Sequence, residues 1–212
     1  VDEELINKDK SIVSVSGFIP ESENIVPVIE NLKLLLPEDV EIEVLSIAQS
    51  DWANNWKKYY KPIRVGKNIV IKPSWEKYDK QNGDVIVELD PGMAFGTGTH
   101  ETTRMCMEKL EKYITPETDV LDVGCGSGIL SITSLLLGAK SATGVDIDPV
   151  ATEVAIENGI RNGFKEPKYN IIRGNLVDNV ENKYDIVVAN IIADIIILLC
   201  PDVKRFMNDN GI

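Results

Sequence analysis

The segment "DVLDVGCGSG", residues 119–128, constrains the fold more than any other stretch of this chain. Its first half is a short apolar run broken only by aspartates, as in a buried strand. Gly124, Gly126 and Gly128 then follow at alternate positions, where a backbone can turn sharply and come close to a ligand. "GILSITSLLLG" continues as a helix and "SATGVDIDP" as a second strand. "PVATEVAIENGIRNG" reads as a helix with Pro149 in its first turn, a position that suits proline. "YNIIRGN" and "YDIVVANII" read as third and fourth strands. Upstream, "VIVEL" from residue 85 is a strand, and apolar or small residues at 103, 106, 107, 110, 113 and 114 trace one helical face. Strands alternating with helices predict an α/β domain, a doubly wound and mostly parallel sheet with helices on both faces.

In such sheets ligands bind outside the carboxyl ends of the strands. The dinucleotide fingerprint needs G-x-G-x-x-G. Here the third glycine comes one residue early and position 129 is Ile, which argues against a nicotinamide cofactor. Asp146 closes the next strand, 22 residues after Gly124. A carboxylate there can accept both ribose hydroxyls of a nucleoside. Loop, acid and alternating strands together predict a nucleoside site rather than a tight structural turn.

A second unusual stretch is "LDPGMAFGTGTHETT", residues 89–103, rich in glycine and threonine and holding His100, the one histidine of the chain. Its residues fit either a plain interdomain loop or a loop that closes over a ligand. Phe95 could cover an adenine or wall off a neighbouring group, and Thr99 is predicted to cap the following helix. His100 has no partners at metal-ligand spacing, so no metal site is expected. It is read as a polar residue at the helix start in preference to a general base.

The front of the chain is different. "SIVSVSGFI", "ENIVPVIENLKLLL" and "VEIEVLSIA" predict strand, helix and strand, half of a small α+β sandwich. Four aromatic residues among lysines follow, from Trp52 to Tyr60. Aromatics interleaved with bases can stack single-stranded nucleic acid. Charge opposes that reading. The net charge is −12, and phosphate binding rewards basic surface. Residues 1–50 carry −8 and the part beyond residue 80 carries −9, around a segment at 51–80 of +5. The aromatics are therefore read as a linker anchored to a neighbouring domain, and no direct nucleic-acid partner is expected. No apolar run reaches the roughly 18 residues that span a membrane, no leader is expected before the first domain, and the three cysteines have no metal or redox spacing. A cytoplasmic monomer is the expectation.

The glycine spacing and Asp146 resemble class I S-adenosylmethionine-dependent methyltransferases. "DPGMAFGTGTHETT", "LDVGCGSGILSI", "GVDIDPVA" and "VVANIIA", in this order, narrow the resemblance to the PrmA family, which methylates large-subunit ribosomal protein eleven. That resemblance implies an enzyme using S-adenosylmethionine to methylate lysine side chains and the amino terminus of that protein. It implies cofactor contacts from Thr103, Gly124, Asp146 and Asn190, with Phe95, Gly96, Thr97, Asp122, Gly126, Ile147 and Asn175 around them. Asn190 is also the candidate catalytic residue, its amide facing the acceptor nitrogen. In related amine methyltransferases an Asn or Asp here precedes prolines, whereas Ile191 and Ile192 follow Asn190, as in the PrmA family. Asn175 stands where many relatives have an acid that accepts from adenine N6.

The resulting division is a partial substrate-binding domain at 1–50, a linker at 51–84, and a methyltransferase domain at 85–212 that stops before its last strands. A methyltransferase of RNA or of a small molecule, and an inactive cofactor-binding fragment, are the alternatives.

Overall fold

The computed structural model describes residues 25–37, 40–42, 44, 60–90 and 100–212. The chain divides into two compact units, Val1–Gln49 and Ser50–Ile212. In the first, the helix expected from the apolar periodicity forms as α1 (Ile25–Leu35) and buries none of its described side chains. The strands expected at 11–19 and 40–48 fall wholly or largely outside the described residues.

The second unit holds two sheets. The larger is built from β4 (Asp119–Val123), β5 (Ser141–Asp146), β6 (Tyr169–Arg173) and β7 (Ile186–Ala189). Its order is β6-β5-β4-β7 and every pairing is parallel. The chain reverses direction across the sheet at β4, which makes the carboxyl end of β4 the switch point where ligands bind such sheets.

Alternation along each strand sends side chains into two separate cores. Val120 and Ala142 face one core with Ile129, Ile132 and Leu135 of α3 (Ile129–Leu136). Leu121, Val123 and Val145 face the other, with Leu199 of α5 (Ala193–Val203). A strand buried on both faces has no polar side to show, which is why "DVLDV" is so apolar. α4 (Pro149–Arg161) carries Pro149 in its first turn and is capped by Asp148, whose carboxylate accepts from the Val150 N–H at 2.9 Å.

The smaller sheet joins β1 (Ile63–Val65), β2 (Ile69–Lys72) and β3 (Val85–Glu88). β1 and β2 form an antiparallel hairpin, and β2 runs parallel to β3. Most of this sheet falls in the stretch read from sequence as a linker. Its Val65, Ile69, Ile71 and Val87, with Leu89 just past β3, are buried in the same core as α3 and as Met107 and Leu110 of α2 (Glu101–Tyr113). The carboxylate of Glu111 on α2 accepts from the Lys67 and Asn68 N–H groups at 2.8 and 2.7 Å. Helix α2 thereby grips the hairpin turn. Tyr60, the described member of the aromatic run, is buried 6.5 Å from the ring of Trp75. No described helix is long and apolar enough to cross a membrane.

Candidate functional site

Four loops converge at the carboxyl ends of the parallel strands. After β4 comes the glycine loop, in which Gly124, Gly126 and Gly128 have φ of 73, 53 and 79°. This left-handed backbone favours glycine. Space enforces the same choice at two of these positions. A Cβ on Gly124 would run into the side chain of Ile191, and one on Gly128 into the Tyr169 hydroxyl. The loop is pinned to the next strand by the Gly124 and Cys125 N–H groups, which donate to the Val145 carbonyl at 2.8 and 3.0 Å.

Asp146 ends β5 half-buried. Its Oδ2 accepts from the Gly126 N–H at 2.8 Å and its Oδ1 from the Asp148 N–H at 3.0 Å. Each carboxylate oxygen offers two lone pairs, so both retain acceptor capacity toward a diol placed over the loop. Ile147 beside it is 65 % exposed, an apolar surface at the rim that a flat ring could cover. The Gly174 N–H donates to the Asp146 carbonyl at 2.9 Å, which brings the loop after β6, with exposed Asn175, next to Asp146.

Asn190 follows the last residue of β7, so its backbone is outside the β4–β7 ladder. Its Nδ2 donates to Oγ1 of Thr103 at 2.8 Å. Thr103 is 1 % exposed in the first turn of α2. This bond was not foreseen from sequence. It joins two residues named separately and fixes the carboxamide so that Oδ1 is left as the free acceptor. The geometry suits receiving a hydrogen from an amine.

Asp122 occupies a different environment from the other candidates. It is buried within β4, and its Oδ2 accepts from the Ser131 N–H at 3.1 Å and the Ser131 Oγ at 2.7 Å. Ser131 lies in the first turn of α3, whose N-cap Gly128 has no side chain to cap it. The strand carboxylate does that work instead. Oδ1 of Asp122 is buried without a hydrogen-bond partner. Burial, against the Ser131 bonds and with the charge of Asp146, pushes the carboxyl from its ordinary 3.8 up to about 6. Between those values the folded chain keeps a proton that the unfolded chain has released. Stability is therefore expected to fall as pH rises from about 3.8 to about 6, and to level off above. Thermal unfolding of the parent and of Asp122→Asn across that range checks this, because the variant should lack the slope.

The helix cap differs from expectation. The N-cap of α2 is His100, not Thr99. Nδ1 of His100 accepts from the Thr102 N–H at 3.3 Å and lies 2.8 Å from the Thr102 hydroxyl. An imidazole nitrogen can take the place of a hydroxyl here because it is an acceptor at the right distance from the helix amides. Thr99, Phe95, Gly96 and Thr97 lie outside the described residues. Among the described residues no group of His, Cys, Asp or Glu could hold a metal ion.

Comparison with known proteins gives a consistent picture. The family model described as "Ribosomal protein L11 methyltransferase (PrmA)" matches residues 1–212. A ribosomal protein L11 methyltransferase of Alkaliphilus oremlandii is 52% identical over 221 residues, covering 100% of this chain and 70% of that protein. One of Clostridium perfringens is 49% identical over 210 residues, covering 95% of this chain and 66% of that one. The chain thus spans about two thirds of the length of these curated relatives. The crystal structure of a ribosomal protein L11 methylase from Lactobacillus delbrueckii subsp. bulgaricus superposes with a TM-score of 0.66 at 36% identity, covering 72% of this chain and 77% of that one.

Proposed function

We infer that this chain, which belongs to the ribosomal protein L11 methyltransferase (PrmA) family, transfers methyl groups from S-adenosylmethionine to amines of ribosomal protein L11, on lysine side chains and the amino terminus. The observation that carries the reading is the Asn190–Thr103 hydrogen bond, set where Ile191 meets Gly124 and at the strand ends that also carry Asp146. An oxygen that would accept from an amine and a carboxylate that would accept from a ribose diol lie at the ends of β7 and β5, the strands on either side of β4, which supports this reading.

Asp146 would hold the ribose hydroxyls. Ile147 would lie against the adenine, with Asn175 near its amino edge. The glycine loop would let the rest of the cofactor approach the backbone, helped by Thr103 and by residues 95–97. Bound S-adenosylmethionine supplies an electrophilic methyl group on a sulfonium. The chain's own residues must then bring in an amine that has lost its proton and hold its lone pair in line. A free lysine ammonium has a pKa of about 10.4, and desolvation favours its neutral form. Oδ1 of Asn190 accepts one remaining N–H and so aims the lone pair away from itself, toward the methyl group. Such positioning contributes several kcal/mol without an acid or base. The acidic first unit would draw in the protein substrate. A ribosomal protein must neutralise RNA phosphates and so is basic, and opposite charge speeds encounter.

The test is mass spectrometry of purified ribosomal protein L11 after incubation with the chain and S-adenosylmethionine. Methyl additions on lysines and the amino terminus are expected. Asp146→Ala is the matched control. It loses charge-assisted acceptors, each worth on the order of 1.5–3 kcal/mol, and should bind the cofactor correspondingly less tightly. Methyl transfer to RNA and none to L11 would overturn the reading.

A further inference from the structure

We propose that Ile191 is a positioning residue for methyl transfer. One methyl group of its branched side chain, seated on the bare backbone of Gly124, sets how far Asn190 stands from the glycine loop. This role rests on the site proposed above, in which the loop receives the cofactor and Asn190 the amine. The observation that carries it is the close approach at Gly124, where a Cβ would overlap Cγ2 of Ile191. The open side of this glycine is therefore taken by a side chain of the protein itself. Glycine is suited to such an approach because it has no Cβ to move aside.

The two sides of the contact are held differently. Gly124 is the firm side. Its N–H donates to the Val145 carbonyl at 2.8 Å, and the Cys125 N–H donates to the same oxygen at 3.0 Å, so β5 holds the loop. The other side needs support. The β4–β7 ladder ends at the pair Val123 and Ala189, and Asn190 lies one residue beyond it. The bond from Nδ2 to Thr103 fixes one atom of the carboxamide. A hydrogen bond tolerates a range of angles, so this bond alone leaves Oδ1 room to swing. Half-buried Ile191 is the next residue in the chain, and its contact adds a second point of support. Asn190 is then held from α2 through its own side chain and from the end of β4 through its neighbour.

The residue type at 191 suits this role. Isoleucine carries two heavy atoms on Cβ, which leaves χ1 few choices. Cγ2 is one of the two, so a short, stiff arm makes the contact. Valine keeps that arm. Leucine has the same atoms as isoleucine but a single carbon on Cβ. If Ile191 only filled space, leucine would be the better replacement, because it conserves volume. If Ile191 is a spacer, valine is the better one.

The experiment compares the parent 212-residue chain with Ile191→Val and Ile191→Leu. S-adenosylmethionine Kd is measured by isothermal titration calorimetry, and turnover on ribosomal protein L11 by mass spectrometry at saturating cofactor. Ile191→Val should keep the parental turnover. Ile191→Leu should lower it about tenfold, less than the roughly hundredfold that a displacement of about 1 Å costs. Kd should match the parent in both, because β5 still holds the loop and Asp146. The contact itself is read without activity, by thermal unfolding. Gly124→Ala should lower Tm, and by less in an Ile191→Ala background, where the overlap is gone. Gly128→Ala, whose Cβ would meet Tyr169 instead, should cost the same in both backgrounds. Where the Gly124 variant does not fold, the valine and leucine pair decides. Parental turnover by Ile191→Leu would overturn the assignment, as would a rise in its Kd as large as its loss of turnover. Equal Tm losses from Gly124→Ala in the two backgrounds would overturn it too. A parent chain that transfers no methyl group to ribosomal protein L11 would overturn the functional reading, and this inference with it.

Discussion

Removal of residues 1–49 is expected to abolish methylation of ribosomal protein L11 while leaving S-adenosylmethionine affinity unchanged. The chain divides between Gln49 and Ser50. Every described residue named for the cofactor, from Thr103 to Asn190, belongs to the second unit, as does the core beneath it. The first unit contributes none of its described residues to that core. It does hold a net charge of −8 over residues 1–50, which can steer a basic protein toward the site. Encounter and orientation should therefore fail while the cofactor still binds. Calorimetry for the cofactor and mass spectrometry for the product read the two effects separately. Full-rate methylation by the shortened chain would remove the first unit from substrate recognition.

Asn190→Ala should lower turnover about a hundredfold, the loss that follows when reacting atoms shift by about 1 Å. Cofactor affinity should fall less, because the acceptor for ribose comes from β5 and the glycine loop from β4. The bond from Nδ2 to Thr103 makes the role specific. With Nδ2 so engaged, Oδ1 is the atom expected to meet the amine. Asn190→Asp is the sharper variant. It keeps an acceptor oxygen but loses the donor to Thr103, and its negative charge favours the protonated ammonium. Some activity should survive, with the optimum displaced to higher pH because the amine gives up its proton later. Rates between pH 7 and 10 at saturating cofactor show the displacement. Parental turnover by Asn190→Ala would reduce this residue to a cap on the end of β7.

What the sequence made legible follows from where period and turn chemistry are strongest. The run from 119 to 161 could be read element by element because β4 and β5 are buried on both faces and α4 begins with a capping Asp148 and Pro149. The small sheet was harder. β1 and β2 have three and four residues, too few to show a period beside the aromatic and lysine residues just before them. The β2–β3 pairing is parallel and joins strands separated by residues 73–84, which no local rule predicts. The connecting segment is held by Asp84, which accepts from Arg64 at 2.8 Å, from the Tyr78 hydroxyl at 2.9 Å and from the Gln81 N–H at 2.9 Å. The spacing of those side chains carries no turn signature.

At the site, the glycine loop and Asp146 were legible because only glycine and a strand-end acid satisfy the geometry. The capping of α3 by Asp122 was not, since strand and helix partners nine residues apart follow no helical spacing. Asn158 and Asn162, whose carboxamides donate to the Ser127 and Glu88 carbonyls at 3.0 and 2.7 Å, left a faint trace, two amides four residues apart on one helical face, which suits backbone capture better than solvent.

The Asn190–Thr103 bond closes a loop of 87 residues, whereas the Gly126–Asp146 bond closes one of 20. Closing a longer loop costs more entropy, and contacts of high sequence separation form late in folding. The half of the site proposed to bind ribose is therefore local and the half proposed to orient the amine is not. Thr103 leaves a translating ribosome long before Asn190 is made, because synthesis runs at about 5–20 residues per second. During its own synthesis this chain gains the elements proposed to hold a nucleoside before it gains the atom proposed to aim the methyl acceptor. On the proposed reading, methyl transfer by a growing chain must wait until Asn190 has emerged and reached Thr103.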